Sequence, residues 1–233
     1  SLRRQRQMCI RDSIDKASKN KAKLLYFSNP NNPMGTWMRG DKIVSLLEKL
    51  PDDCLLILDE AYAEFAPNEA KVPILVDDPR LIRFRTFSKA YGIAGARIGY
   101  GLGSRELIGE FDKIRNHFGN SLLSQVAAIA AIKDQKYLSD VVKKISLGRE
   151  KIYQIAKLNG LTAIPSATNF VAIDCGQDGN FATQVMNGLL EAKIFVRKPA
   201  VAPLDRTIRV TVGRNDDIEL FKNVFPQVLK ASQ

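Results

Sequence analysis

Lys89 and Arg97 lie eight residues apart in the stretch TFSKAYGIAGARIGYG, among small residues and tyrosines. Burial favours the neutral form of a lysine amine, and a neutral amine is what Schiff-base chemistry requires. The forked guanidinium of Arg97 suits a phosphate, and the hydroxyls of Thr86 and Ser88 can support it. The stretch therefore indicates a lysine that reacts with an aldehyde and an arginine that binds an anion.

Asp59 ends the apolar run CLLILD and is followed closely by Tyr62 in the motif DEAY. A carboxylate at the tip of a buried strand needs a cationic partner or a dense set of hydrogen bonds. A protonated pyridine nitrogen would be such a partner. An imine-forming lysine, a pyridinium partner and a phosphate anchor together indicate pyridoxal phosphate as the cofactor.

Three apolar runs must position these groups. The runs are KLLYFS, which leads to Asn32 in NPNNPMG, CLLILDEAY, which contains Asp59, and LIRFRTF, which leads to Lys89. Continuous apolar runs are typical of strands buried on both faces of a parallel sheet. Since the carboxyl ends of such strands share one edge, the three polar residues are expected to lie together there.

The motifs resemble those of the fold-type I pyridoxal-phosphate aminotransferases (class I and II), and most closely the histidinol-phosphate aminotransferase branch. The matching motifs are N-P-x-x-P-x-G, D-E-A-Y, and T-x-S-K followed by arginine at the eighth position, with SATNF, FVR and IRVTVG further along. The resemblance runs from about residue 20 to the C-terminus. Their order and spacing carry the resemblance, because each motif alone is weak.

The resemblance implies roles for the cofactor-side residues. Lys89 is similar to the lysine that forms the Schiff base and then transfers protons. Asp59 resembles the residue that keeps the pyridine nitrogen protonated, while Asn32 and Tyr62 resemble the pair that hydrogen-bonds the phenolic oxygen. The phosphate contacts implied by the resemblance are Thr86, Ser88 and Arg97.

Three further residues are implied as substrate contacts. Arg209 resembles the arginine that grips the anionic group of the substrate, although a solvated position on a strand face is an alternative for it. Arg197 resembles a second anion-binding arginine of the branch, and Asn169 would line the same pocket. The segment HFGN departs from the Pro-aromatic-Asn pattern common in the branch, so histidinol phosphate, an aromatic amino acid and another amino donor all stay open.

The function implied is transfer of an amino group from such a donor to a 2-oxo acid, for example 2-oxoglutarate. Two alternatives remain at this stage. An amino-acid-phosphate decarboxylase of the same fold would release carbon dioxide without forming a keto acid. A transcription regulator with an aminotransferase-like sensor domain would carry a helix-turn-helix and a long linker upstream.

Strands alternate with helices as far as about residue 120, which predicts an α/β sheet. The resemblance implies a three-layer, mixed and mainly parallel sheet of the transferase type, as an incomplete large domain over residues 14–125. Two long helices then lead into a smaller α+β domain over residues 126–233. Residues 1–13, SLRRQRQMCIRDS, resemble translated sequencing-adapter sequence and are expected to be a non-native leader of an N-terminally truncated fragment.

The composition of the 233-residue chain fits this class. The net charge is +10, but residues 1–23 carry a surplus of six, which leaves +4 for the rest and argues against a nucleic-acid partner. No apolar run approaches the ~18 residues of a membrane span, and the Ala-rich segment 121–132 is expected to be a buried helix. Three widely spaced cysteines suggest neither disulfides nor a metal site and favour the cytoplasm. Family members are homodimers, so a homodimer is expected.

Overall fold

The computed structural model describes residues 12–73 and 77–233. It divides into two compact units, Ser1–Pro30 with Met38–Gln135, and Asn31–Trp37 with Lys136–Gln233. The expected leader at residues 1–13 lies outside the described residues except for its last two positions, which belong to a helical segment over residues 12–19 (α1).

The first unit is built on a four-stranded sheet in the order β1-β2-β3-β4. The strands are β1 (Leu24–Ser28), β2 (Leu55–Asp59), β3 (Leu81–Thr86) and β4 (Gly99–Leu102). The first two pairings are parallel and the third is antiparallel. The predicted mixed, mainly parallel sheet is thus confirmed, and the three apolar runs of the sequence form three of its four strands.

Three helices follow in this unit: α2 (Gly40–Leu47), α3 (Arg105–Phe111) and α4 (Leu122–Lys133). Helix α2 buries Ile43, Leu46 and Leu47 against Leu56 and Leu58 of the sheet. The first unit also contains short 3-10 turns at Ala63–Phe65, Asn68–Ala70 and Ala94–Ala96. One face of the sheet is therefore covered by an apolar core.

Helix α2 begins at Gly40 with Arg39 in the N-cap position, and Asp41 lies in its first turn. One expectation about these helices is wrong. Helix α4 is not buried, since Leu122, Leu123 and Val126 are 75%, 82% and 57% exposed in this chain. Its apolar residues surround the helix, and the described contacts cover little more than Ala128.

The second unit is α+β, as predicted. Its antiparallel sheet contains β5 (Thr162–Ile164), β6 (Phe170–Asp174) and β7 (Thr207–Thr211). Its helices are α5 (Gln135–Leu158), α6 (Gly179–Glu191) and α7 (Asn215–Ala231), with a 3-10 turn at Leu204–Arg206. The core includes Ile152, Val171, Val185, Ile208 and Phe225. Outside these strands, Arg197 forms a single isolated bridge with Arg209.

Candidate active site

Asp59 ends β2 on the face of the sheet opposite α2, and both of its carboxylate oxygens are held. Oδ1 accepts a hydrogen bond from the Ala61 amide at 2.9 Å, and Oδ2 accepts one from the Tyr26 hydroxyl. Burial, together with the bond to Asp59, raises the pKa of Tyr26 to about 12. The sequence prediction missed Tyr26, although the alternation of the strand LLYFS puts it on the same face as Asp59.

Lys89 contacts Tyr62 in the same unit. Its Nζ lies 5.3 Å from the centroid of the Tyr62 ring, within the range of a cation–π interaction. Tyr62 is buried at 6% exposure, whereas Lys89 is half-buried rather than fully enclosed. The lysine lies three residues after the end of β3, while its neighbours Ala90 and Tyr91 are buried.

The loop that carries Lys89 leaves the sheet and returns to it at one point. Thr86 at the end of β3 pairs with Gly99 at the start of β4, and a Cβ on Gly99 would lie 2.5 Å from the Arg85 carbonyl oxygen. Glycine is therefore required for this close approach. The Thr86 hydroxyl accepts a hydrogen bond from the Ser88 amide at 3.0 Å, so it holds the turn that presents Ser88 and Lys89.

Arg97 lies at the end of the same loop with a left-handed backbone, φ +50° and ψ +48°. Such a conformation costs a residue with a side chain on the order of 1 kcal/mol, and it is often found at ligand sites. The guanidinium is exposed, and its Nη1 donates to the Ala94 carbonyl at 2.9 Å. Helix α4 supports this part of the loop through Ser124, whose hydroxyl donates to the Ala96 carbonyl at 2.7 Å.

A buried ion cluster lies behind Asp59 on the covered face of the sheet. Glu60 accepts two hydrogen bonds from Arg83, at 2.9 and 2.8 Å, and one from Arg85 at 3.0 Å. The side chains of Glu60 and Arg83 are each 3% exposed. Burial alone would lower the pKa of Arg85, but the Glu60 carboxylate raises it overall. The cluster joins the strand end that carries Asp59 to the strand that leads to Lys89.

Glu64, two residues after Tyr62, is a second buried carboxyl group. Neither of its oxygens has a hydrogen-bond partner among the described residues, and both are enclosed. Burial raises the pKa of Glu64. Within one short segment, Glu60 is therefore paired with two arginines, whereas the Glu64 carboxyl group has no hydrogen-bond partner among the described residues.

The second unit brings together Asn32 and Arg209, which are 177 residues apart. Arg209 Nη1 donates to Asn32 Oδ1 at 2.5 Å, and the Arg209 guanidinium carbon lies 4.7 Å from the centroid of the Phe170 ring. The arginine is half-buried on β7. Its planar group is thus oriented by an amide at one end and an aromatic face at its side.

Backbone hydrogen bonds join Arg197 to Arg209, and join Asn169 to the residue that follows β7. Arg197 and Arg209 exchange two backbone hydrogen bonds, of 3.2 and 2.6 Å, and the Asn169 carbonyl accepts from the Val212 amide at 2.9 Å. The Arg197 guanidinium is exposed and lies 5.9 Å from the Phe195 ring centroid. The two arginines are therefore directly opposite each other on neighbouring segments.

Asn32 is positioned by the turn NPNNPMG, which packs on the SATNF turn. Gly35 has φ +75°, and a Cβ there would lie 2.3 Å from the Ser166 hydroxyl. The Gly35 carbonyl accepts from the Ala167 amide at 2.7 Å, and Met34 packs against Ile164. This packing explains why residues 31–37 belong to the second unit.

The predicted site residues therefore fall into two groups. The first unit holds Asp59, Tyr62, Thr86, Ser88, Lys89 and Arg97, and the second holds Asn32, Asn169, Arg197 and Arg209. The sequence prediction did not foresee the direct pairing of Asn32 with Arg209. Within residues 12–73 and 77–233, no group of His, Cys, Asp and Glu could hold a metal ion, and no helix there is long and apolar enough to cross a membrane.

Comparison with known proteins identifies the relatives of this chain. The family model described as Aminotransferase class I and II matches residues 9–222. The histidinol-phosphate aminotransferase of Geobacillus sp. (strain WCH70) is 39% identical over 214 residues, which is 91% of this chain and 58% of the relative. That of Bacillus velezensis is 34% identical over 221 residues, which is 94% of this chain and 61% of the relative.

Solved structures give the same relationship. The crystal structure of histidinol-phosphate aminotransferase from Sinorhizobium meliloti in complex with pyridoxal-5'-phosphate superposes with a TM-score of 0.92 at 46% identity, covering 94% of this chain and 61% of that one. L-threonine-O-3-phosphate decarboxylase from Porphyromonas gingivalis, at 24% identity, a TM-score of 0.78 and coverage of 94% and 68%, shows the shared fold alone. The chain spans about three fifths of the length of the curated relatives that it matches.

Proposed function

We propose, because the chain belongs to the class I and II aminotransferase family, that the protein transfers an amino group from an amino donor to a 2-oxo acid with pyridoxal phosphate as cofactor. The observation that carries the proposal is the position of Lys89 against the Tyr62 ring, in the unit whose parallel strand β2 ends at Asp59. An amine and a carboxylate are thus supplied by neighbouring strands of one rigid sheet.

The residues of the first unit fit this cofactor chemically. The Asp59 carboxylate is already oriented by two donors, which suits it to hold a protonated ring nitrogen. Lys89 supplies the amine for the aldehyde, and Arg97 presents an exposed guanidinium on a strained backbone for the phosphate. Ser88 and Thr86 would complete the phosphate side, with Tyr62 near the phenolic oxygen.

When bound, the cofactor supplies a ring that withdraws electrons from the substrate Cα. Lys89 would hold the cofactor through its aldehyde, and as a free amine its Nζ would accept the proton from the substrate Cα and return it. The task of Asp59 is to keep the proton on the ring nitrogen by its negative charge. Tyr62 lies under the Lys89 ammonium and restricts where Nζ can move.

The residues of the second unit suit an anionic substrate. Arg209 is oriented by Asn32 and Phe170, so its fork is arranged for bidentate binding of a carboxylate or phosphate. The exposed Arg197, which pairs with Arg209 through the backbone, offers a second positive charge, and we place Asn169 in the same pocket. Two anion-binding groups favour a donor with a phosphate. The names of the relatives at 34–39% identity support histidinol phosphate as the donor. For the acceptor we propose 2-oxoglutarate.

We further propose a homodimer in the cytoplasm. The exposed apolar residues Leu122, Leu123 and Val126 of α4 provide a surface that a second copy could cover. Cys54 and Cys175 are buried free thiols, which suits a reducing compartment.

The test is to add pyridoxal phosphate and to screen amino donors spectroscopically, beside Lys89→Ala. Amino transfer with histidinol phosphate, the formation of glutamate from 2-oxoglutarate and the loss of the cofactor's visible band in Lys89→Ala are expected. An unchanged band in Lys89→Ala would refute the role of Lys89. Release of carbon dioxide without a keto acid would instead support a decarboxylase.

A further inference from the structure

We propose that Tyr26 is a positioning residue, whose hydroxyl sets the orientation of the Asp59 carboxylate for the ring nitrogen of the cofactor. The inference rests on the proposed function and adds to it a residue outside the motifs of the sequence. Its basis is the hydrogen bond from the Tyr26 hydroxyl to Asp59 Oδ2.

The register of the sheet makes this contact possible. Ser28 lies opposite Asp59 in the parallel pairing, and Tyr26 lies opposite Ile57. Side chains two residues apart on a strand share a face, so Tyr26 is the next residue along β1 on the face of Asp59. A tyrosine is long enough to reach past Ser28 to the carboxylate, whereas the aliphatic residues of the same run have no donor.

The carboxylate is then held from two sides by groups with different origins. Oδ1 is fixed by a backbone amide of its own turn, that of Ala61, at 2.9 Å. Oδ2 depends on a side chain from another strand. Removal of the Tyr26 hydroxyl leaves one of the two anchors, and rotation of the carboxyl group about its Cβ–Cγ bond becomes easier.

The Tyr26 hydroxyl is a hydrogen-bond donor near neutral pH. The pKa of Tyr26 lies at about 12, with burial as the largest cause and the bond to Asp59 as the next. Tyr26 therefore acts on Asp59 as a hydrogen-bond donor and not as a second negative charge.

The backbone that carries Asp59 is held by contacts that do not involve Tyr26. Directly after Asp59, the backbone is held by the buried Glu60, to which Arg83 and Arg85 donate. The Glu60 amide also donates to the Phe84 carbonyl at 2.9 Å. A change at position 26 is therefore expected to act on the carboxyl group of Asp59 and not on the strand that carries it.

The experiment compares Tyr26→Phe with Tyr137→Phe in the full chain. Phenylalanine keeps the ring and removes only the hydroxyl, and Tyr137 lies on the first turn of α5, outside the proposed site. The readouts are the dissociation constant of pyridoxal phosphate and the ¹⁵N chemical shift of the ring nitrogen in bound, labelled cofactor. Ultraviolet titration of the tyrosines in wild type and Asp59→Asn, without cofactor, reports the hydrogen bond separately.

We expect Tyr26→Phe to bind the cofactor about tenfold more weakly. This is the lower end of the loss of affinity seen in metal sites when a residue that hydrogen-bonds a metal ligand is removed. Its ¹⁵N shift should move toward that of the unprotonated nitrogen, a change that a purely structural role would not cause. Tyr137→Phe should match wild type. In Asp59→Asn the highest tyrosine pKa should fall.

Other results would overturn the inference. A Tyr26→Phe variant with the affinity and ¹⁵N shift of wild type would refute it and leave the proposed function intact. Equal tyrosine titrations in wild type and Asp59→Asn would refute the hydrogen bond itself. A wild type that binds no pyridoxal phosphate at all would overturn the proposed function, and this inference with it.

Discussion

At the scale of single residues, the candidate site depends on polar groups that are paired on the covered side of the sheet. Glu60 neighbours Asp59 in sequence but points to the opposite face, where Arg83 and Arg85 surround it. Taking these charges out of water is costly, and their mutual attraction offsets that cost only while all partners are present. The cluster therefore holds together the strands that lead to Asp59 and Lys89. Removal of one member should greatly reduce the stability of this unit.

Glu60→Gln should destabilise the first unit by about 3–5 kcal/mol, the usual range for removing one partner of a buried pair. The change keeps the shape of the side chain and leaves two guanidinium groups without their shared charge. Denaturant unfolding of the two proteins measures the difference. The exposed Glu48→Gln should change the free energy of unfolding by less than about 0.5 kcal/mol, and a similarly small effect of Glu60→Gln would show that the cluster is not structural.

Glu64→Gln provides a matched contrast with the opposite sign. Because burial raises the pKa of Glu64 in the folded chain, its contribution to stability is present at low pH and is lost as the pH rises through the folded pKa. Glutamine does not titrate, so the variant should be more stable than wild type at pH 7 and should lose that advantage below about pH 4. A destabilised Glu64→Gln at pH 7 would contradict the conclusion that burial raises the pKa of Glu64.

At the scale of elements, the turn that carries Asn32 is held by its fit to the SATNF turn. Gly35 is the critical position, because it combines a left-handed backbone with a close approach to Ser166. The adjoining Arg209 is then placed within reach of the Asn32 side chain. Two segments distant in sequence are thereby joined, and a substrate-side group is oriented by the same contact.

Gly35→Ala should cost more than the ~1–2 kcal/mol of left-handed strain, because its Cβ also collides with the Ser166 side chain. Gly160 is the matched control: its φ is +70°, but nothing lies within 4 Å of an added Cβ. The free energy of unfolding measures the cost, and the fluorescence of Trp37, the single tryptophan, reports on the turn itself. Equal losses in Gly35→Ala and Gly160→Ala would mean that the packing on SATNF contributes nothing.

At the scale of the whole molecule, the apolar pattern predicted much of the fold, but it did not predict which groups pair. The runs KLLYFS, CLLILD and LIRFRT became neighbouring strands, because continuous apolar runs have to be buried. In LIRFRT, however, Arg83 lies on the covered face, where a pattern-based interpretation would expect a leucine. Its position depends on Glu60 of the neighbouring strand, and a pairing of this kind follows from sheet register rather than from local sequence.

The same limit explains the other differences. Asn32 pairs with Arg209 because the turn that carries Asn32 packs on the SATNF turn within the second unit. The sequence around either residue does not predict this contact. The composition of α4 predicts a helix, and the structure has one. Its leucines are nevertheless exposed, because an apolar composition does not reveal which surface would cover the helix. Tyr26 was overlooked because a tyrosine in a strand is ordinary, and its role depends on a neighbour 33 residues away.

The alkaline stability of the molecule provides a prediction at this scale. Burial raises the pKa of the Cys175 thiol to about 11. The stability that the protonated thiol maintains is complete below about pH 9 and is lost as the pH rises toward 11. At ~1.4 kcal/mol per unit, the loss should reach about 2–3 kcal/mol. Denaturant unfolding between pH 8 and 11 should show a shallower decline for Cys175→Ala, and an identical slope in both proteins would contradict this account.

The central claim, that Lys89 is the residue that reacts with the cofactor, has a direct test. The chain is incubated with pyridoxal phosphate, treated with borohydride, digested and analysed by mass spectrometry. The account predicts a single major modified peptide, with the added mass on Lys89, and its loss in Lys89→Ala with other lysines unmodified. A label on other lysines that persists unchanged in Lys89→Ala, or no label at all, would contradict the account.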